Sequence, residues 1–295
     1  MTIPFAGGER PAHTNATGLT GEGAEQTEIV DAHTNLCYPG ETHGGSRWNT
    51  FGARVAVLRE AGISHALACR NEPVAGRSYH EMAEWNSRIA SACEASRGLY
   101  FPAAIVRPDL AEACDLLREC REEFGMCFVG ELRDRGFGYQ WGTSRYYRLL
   151  ERAIGLRMVP LIHCENQVAA EIGQRYPEGR FLIAHLCSSR ARWPEDRIAV
   201  LASYPSLYLE ISGADMYQEG ILRKAAAGLG ATRIVFGSDL GAFDPLLAVA
   251  CVKRSGLTET EQALAFAGNF RVLCEWTQRR EVVRPLAQGA ASRCW

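Results

Sequence analysis

The chain has 295 residues, 47% hydrophobic and 22% charged, with 29 glycines and 12 prolines, an ordinary globular composition long enough to bury a large core. At roughly 150 residues per domain this length suggests two domains, but an α/β barrel of about 250 residues counts as one. Thirty-two Lys and Arg against 34 Asp and Glu leave a formal charge of −2, so no positive excess exists to displace the counterions of a nucleic acid, and a general nucleic-acid-coating role is excluded.

Residues 1–28 are rich in Gly, Thr and Glu and lack an apolar h-region, so they read as a disordered leader rather than a secretory signal. The Asn15-Ala16-Thr17 sequon is then a chance match. Strand candidates follow at Ile29–Ala32, His65–Cys69, Tyr100–Val106, Cys127–Leu132, Met158–Cys164, Phe181–Leu186, Leu207–Ile211 and Arg233–Gly237. They are nearly continuous in apolar character, as parallel strands covered on both faces should be. Between them the pattern predicts helices over Phe51–Ala61, Tyr79–Arg97, Leu110–Phe124, Ser144–Ile154, Pro194–Ser203 and Tyr217–Ala227. Gly62, Gly98, Gly125, Gly155 and Gly228 are the expected helix stops, and Asp109 the expected cap of the third helix.

Eight strands alternating with helices predict a single-domain (β/α)8 TIM barrel of the α/β class over residues 29–276. A doubly wound sheet would carry a glycine-rich loop after strand 1, and Asp31-Ala32-His33-Thr34-Asn35 stands there instead. The tail, residues 277–295, has no sustained period and reads as a cover for the barrel or for an oligomer partner. The 11 cysteines are scattered without a CxxC pair, which argues against a zinc ribbon or a thioredoxin-like site and for reduced thiols in a cytoplasmic protein. No apolar run approaches the roughly 18 residues of a membrane span.

In a parallel barrel the chemistry sits at the C-terminal ends of the strands. Those ends supply Asp31, His33 and Asn35 from strand 1, Glu131 and Arg133 from strand 4, His163 from strand 5, His185 from strand 6 and Asp239 from strand 8. Imidazoles converging with a carboxylate are a donor set for Zn²⁺ or a similar ion, with a position left for water. His33 reads as a ligand or a hydrogen-bonded strand-end histidine, His163 as a ligand or a satisfied core histidine, His185 as a proton-transfer group or a core histidine, and Asp239 as a functional carboxylate or a helix cap. Asn35 is either a turn-former or a weak ligand or substrate contact. Glu131 has three open roles: metal ligand, partner of Arg133, or seat of a substrate cation. The Arg133 fork suits a substrate carboxylate. His13 and His65 read as structural or solvent-exposed. His43 and His80 are placed in loops near the strand tops, with His43 able to supply the contact Asn35 lacks. Cys37 and Cys164 flank the site as packing residues.

The segments IVDAHTNL, VPLIHCEN, RFLIAHLCSS, LYLEISG, RIVFGSDLGAFDP and AGNFRVLCEW resemble, in order, the blocks of the amidohydrolase superfamily in its amidohydrolase-related branch, over about residues 29–276. That branch includes metal-dependent hydrolases and non-oxidative decarboxylases similar to aminocarboxymuconate-semialdehyde decarboxylase. The resemblance implies that His33 and Asn35 occupy the first-strand ligand pair, that His163 and Asp239 are the strand-5 and strand-8 ligands, and that Asp239 doubles as general base. It implies that His185 orients water or the leaving group. The departure is Asn35, where the pattern D-x-H-x-H has its second histidine. An amide oxygen is a poorer zinc donor than imidazole, so zinc through His33, His163 and Asp239, a harder ion, or no metal are the alternatives. Glu131 resembles the strand-4 glutamate of TatD-like hydrolases. The expected function is hydrolysis of an amide, ester or lactone bond in a small molecule by activated water. Decarboxylation, or a metal-poor non-catalytic protein, are the other readings. A homodimer is expected, with neither nucleic acid nor membrane as partner.

Overall fold

Short runs of branched and apolar residues, buried on both sides, make the strands, while amphipathic segments between them bury one face each. The structure, a computed structural model, describes residues 27–42, 47–70, 73–134, 140–187 and 193–279. The strands are β1 (Val30–Asn35), β2 (His65–Cys69), β3 (Tyr100–Ala104), β4 (Phe128–Arg133), β5 (Val159–His163), β6 (Phe181–Ala184), β7 (Leu207–Glu210) and β8 (Ile234–Val235). The helices are α1 (Phe51–Glu60), α2 (Tyr79–Ala95), α3 (Ala113–Glu123), α4 (Ser144–Gly155), α5 (Asn166–Arg175), α6 (Pro194–Ala202), α7 (Ile221–Leu229), α8 (Pro245–Arg254), α9 (Glu259–Ala263) and α10 (Asn269–Gln278).

Neighbouring strands pair in parallel in the order β1 to β8. The ring closes through backbone bonds from Ala32 N–H to the Phe236 carbonyl at 2.9 Å, from Asp239 N–H to the His33 carbonyl at 2.8 Å and from Asn35 N–H to the Leu240 carbonyl at 2.9 Å. This is the expected (β/α)8 barrel. Its N-terminal end is filled by α10: the Phe270 ring lies 4.9 Å from Phe128 and 5.2 Å from Phe101, at the start of β4 and within β3. That leaves the C-terminal end of the barrel for chemistry.

Several expectations shift in detail. Asp109 does not cap α3. It binds Arg107 through both carboxylate oxygens, at 2.6 and 2.7 Å, and the capping position falls to Glu112, which makes no side-chain cap bond. A nearby guanidinium outcompetes an N–H group for the carboxylate. Gly155 and Gly228 lie inside the last turns of α4 and α7. The left-handed residues beyond those helices are Arg157 and Gly230, with φ of 54° and 90°. Tyr217 belongs to a separate 3₁₀ turn, Ala214–Tyr217, before α7. His80 sits in the first turn of α2, exposed, not in a loop. Helices α5, α8, α9 and α10 have no counterpart among the predicted helices. His13, His43, residues 1–26 of the leader and residues 280–295 of the tail lie outside the described residues. Among the described residues, no helix is long and apolar enough to cross a membrane.

Candidate active site

Two irregularities in the strand ladder aim the site. The register slips in β1 between Asp31 and Thr34 and in β4 between Val129 and Leu132, the stretches that hold His33 and Glu131. An extra residue in a strand re-aims the side chains beside it, and here it turns a histidine and a glutamate into the barrel mouth. Gly130 permits the second slip: its φ is 131°, and a Cβ there would stand 2.4 Å from the Leu161 carbonyl oxygen.

His33 is the centre. Its Nδ1 lies 2.9 Å from Glu210 Oε2, and its Nε2 faces Glu131 Oε2 at 3.7 Å and Asp239 Oδ1 at 3.9 Å. Glu210 is saturated with donors, since it also accepts from the Ser212 hydroxyl at 2.9 Å and the Ser212 N–H at 2.7 Å. A carboxylate on Nδ1 fixes a proton on that nitrogen and aims Nε2 at the other carboxylates, the arrangement usual behind metal-bound histidines. Nε2 is buried and has no hydrogen-bond partner among the described residues.

Glu131 ties the histidines together. Its Oε1 lies 2.8 Å from His163 Nδ1 and 3.8 Å from His185 Nε2. His185 donates Nδ1–H to the Ser212 carbonyl at 3.0 Å, so Nε2 carries its lone pair. Asn35 donates Nδ2–H to Asp239 Oδ1 at 2.6 Å. His185 and Asp239 both take left-handed backbone conformations, φ 67° and 52°, which non-glycine residues seldom adopt and which concentrate at functional sites. Asp31 stands behind the site. It accepts the N–H groups of His33 at 3.1 Å and Ser238 at 2.9 Å, thereby joining β1 to the segment that carries Asp239.

The electrostatics follow from burial among like and unlike charges. Burial alone would lower the pKa of His33, but the Glu210 and Glu131 carboxylates more than offset this and hold it well above its usual value. For Glu131, burial pushes upward, yet the bonds to His163 and His33 keep the carboxyl well below its ordinary value. Glu210 likewise lies below its usual value: burial opposes ionisation, and His33 outweighs it. Burial lowers His185 and raises Asp239. Burial also lifts Asp31 to about 7. Three buried carboxylates therefore converge on one imidazole, and the cluster demands positive charge at His33 Nε2. A proton or a divalent ion meets that demand. His33, His185 and Glu210 offer donor atoms within 4.8 Å of one another, as do Glu131, His163 and His185, and nitrogen and oxygen donors of this kind suit such an ion.

The barrel mouth thus gathers His33, Asn35, Glu131, His163, His185 and Asp239. Arg133 ends β4 in register with His163. Of the three roles open to Glu131, pairing with Arg133 yields to pairing with His163. His163 spends Nδ1 on Glu131. Cys37 and Cys164 are buried, and burial pushes the Cys164 thiol up to about 11, which suits packing rather than nucleophilic attack.

A profile of the amidohydrolase family matches residues 30–270. The chain belongs to the amidohydrolase family. Among curated proteins, no sequence matches it. Solved structures share the fold at low identity. A dihydroxybenzoic acid decarboxylase from Polaromonas, with bound manganese and 2-nitroresorcinol, is 14% identical with a TM-score of 0.65, over 86% of this chain and 98% of its own. The 5-carboxyvanillate decarboxylase from Sphingomonas paucimobilis is 10% identical at 0.66, over 84% and 99%. A probable 2-pyrone-4,6-dicarboxylic acid hydrolase from Acinetobacter baumannii, with citric acid bound, is 14% identical at 0.60, over 83% and 98%.

Two residues at the heart of the site are not among the strand-end residues singled out from the sequence. Glu210 ends β7 and Ser212 follows it, in LYLEISG. An acid closing an otherwise apolar strand was the available signal, the same signal that singled out Glu131. Arg54 of α1, buried and donating to the backbone carbonyls of Asn35 and Trp48, left no such mark.

Proposed function

We propose that this protein is a metal-dependent hydrolase that opens an amide, ester or lactone bond of a small, carboxylated molecule with activated water. The observation that carries this is His33 Nε2: a buried nitrogen without a partner, its ring fixed by Glu210, facing Glu131 at 3.7 Å and Asp239 at 3.9 Å. His33, Glu131 and Asp239 would hold a divalent ion, with His163 joining if its bond to Glu131 gives way. When bound, the ion would acidify water and polarise a carbonyl. Asp239 takes the proton of the attacking water. Asn35 occupies Oδ1 of that carboxylate, which leaves Oδ2 for the water. His185 Nε2, a lone pair in the tautomer set by the Ser212 carbonyl, orients the water by accepting a hydrogen bond from it, and Asp239 returns the proton it took to the leaving atom. Arg133, at the same rim, takes the substrate carboxylate through its fork.

A second reading, decarboxylation, is favoured by one observation: burial raises the Asp239 carboxyl, as a group that protonates a ring carbon requires. Two of the structural neighbours are decarboxylases of aromatic acids, and the third is named a hydrolase of a dicarboxylic acid. Turnover of lactones, pyrone dicarboxylates and hydroxybenzoates in H₂¹⁸O separates the two. Hydrolysis places ¹⁸O in the product carboxylate, and Asp239→Asn should slow it by about 10²- to 10⁴-fold. Carbon dioxide released with no label in the organic product establishes the second reading instead. A folded, metal-loaded protein that turns over none of these substrates refutes both.

A further inference from the structure

His33 Nε2 is not the only unpartnered atom at this point of β1. Asn35 Oδ1 is also buried without a hydrogen-bond partner among the described residues. The two residues are separated by one position on the same strand. Both approach a single atom, Asp239 Oδ1: His33 Nε2 stands 3.9 Å from it, and Asn35 Nδ2 donates to it at 2.6 Å. A carboxylate accepts and cannot donate, so the amide end on Asp239 must be the nitrogen, and the other end is an oxygen with its lone pairs unused.

Among the described residues no donor bonds that oxygen. The nearby carboxylates are acceptors. The Arg54 guanidinium turns Nε and Nη1 to the backbone carbonyls of Trp48 and Asn35, not to the Asn35 side chain. The Asn35 side chain is confined by Gly241, where a Cβ would stand 3.1 Å from Asn35 Cβ and 3.4 Å from Nδ2. Two neighbouring buried atoms without a partner, beside one carboxylate oxygen, are both served by a cation bound between them.

We propose that Asn35 Oδ1 is itself a ligand of the divalent ion, and that with Glu131 and Asp239 it makes an oxygen-rich set around the His33 imidazole that shifts preference from zinc toward manganese. This rests on the metal-dependent reading above and sharpens it. An imidazole at position 35 would add a second nitrogen and suit zinc. An amide oxygen beside two carboxylates suits Mn²⁺, which prefers oxygen donors. Zinc remains the tighter ion in absolute terms, as the general order of divalent affinities requires. What Asn35 sets is the ratio of the two affinities.

The test uses the full chain, stripped of metal and titrated separately with Mn²⁺ and Zn²⁺, with bound ion counted per chain. Co²⁺ is loaded in parallel for its visible spectrum. Asn35→Ala should weaken Mn²⁺ binding by at least about tenfold, Asn35→Asp should retain it, and Asn35→His should raise the zinc-over-manganese ratio by at least about tenfold and shift the Co²⁺ bands. If Asn35→Ala binds Mn²⁺ like the wild type with an unchanged Co²⁺ spectrum, Asn35 is no ligand and only this inference falls. An unchanged ratio in Asn35→His overturns it too, even if the alanine chain fails to fold. A wild type that takes up neither ion overturns the metal-dependent reading as well.

Discussion

Replacing Glu210 by glutamine tests whether the proton on His33 is placed by its carboxylate. The substitution keeps shape and removes the charge. Glu210 Oε2 faces His33 Nδ1 at 2.9 Å and the Ser212 hydroxyl at 2.9 Å, while Oε1 accepts Ser212 N–H at 2.7 Å. Glutamine has one oxygen for these two sets of donors. If the amide oxygen stays on His33, the NH₂ meets Ser212 N–H. If the amide is turned, the NH₂ meets His33 Nδ1, forces the proton onto Nε2 and removes the lone pair that faces Glu131 and Asp239. Either way a charge-assisted bond is lost and a buried donor is stranded, worth about 2–4 kcal/mol. For a barrel of this size that is a fall in Tm of about 4–16 °C, and divalent-ion affinity should drop about 10- to 100-fold. Thermal unfolding with and without ion, and ¹⁵N shifts of the His33 ring, report the two effects separately. A variant that melts within 1–2 °C of the wild type, roughly 0.5 kcal/mol, and binds ions equally well would refute the assignment of Glu210 as the group that orients His33.

Two other perturbations probe the scaffold of the site. Burial lifts Asp31 to about 7, against about 3.9 in an unfolded chain. The folded protein therefore keeps a proton that the unfolded chain releases, and in metal-free protein stability should fall as pH rises from about 4 to about 7, by at most about 4 kcal/mol, then level off. Asp31→Asn, which mimics the protonated form, should flatten that slope in urea unfolding series; an unaltered slope assigns it to other groups. Gly237→Ala drives a Cβ to 2.2 Å from Glu210 Oε1 and 2.9 Å from His33 Cβ. These neighbours are fully buried and hydrogen-bonded, so the cost should be about 1–3 kcal/mol or more with loss of ion binding, and an alanine variant of wild-type stability would contradict the packing described here.

The barrel was legible in the sequence because each strand is a continuous apolar run and most helices stop at a residue suited to a left-handed turn. His65–Cys69 is β2 to the residue. Strand β1 was harder. The apolar criterion stops at Ala32, whereas the strand continues to Asn35, because the polar residues beyond it are held by β8 and by the site rather than by a core. The convergence of His33, Glu131, His163, His185 and Asp239 followed from strand ends alone. Which atom faces which did not. His33 and Glu210 are 177 positions apart, and their contact depends on a slip in β1 that leaves no pattern in the residue order. Nor does composition show that the Asn35 amide presents nitrogen to Asp239, since that orientation exists only once the carboxylate is beside it.

The charge balance of the cluster carries one more consequence. Glu131 and Glu210 hold pKa values below their usual range, and together they raise that of His33 well above its usual value despite its full burial. In the metal-free protein the Nε2 proton thus supplies the positive charge that the facing carboxylates require. A divalent ion bound at Nε2 must expel that proton, because one lone pair cannot serve both. Ion binding at pH 7 should accordingly release about one proton per chain. Calorimetric titration in two buffers of different ionisation enthalpy measures this directly: the observed heat should differ by about one proton's worth of the buffer difference. His33→Asn should abolish the difference along with the tight binding. If the heat of the wild type is the same in both buffers, His33 is already neutral when the ion arrives. The carboxylates around it would then owe their ionised state to something other than the imidazole.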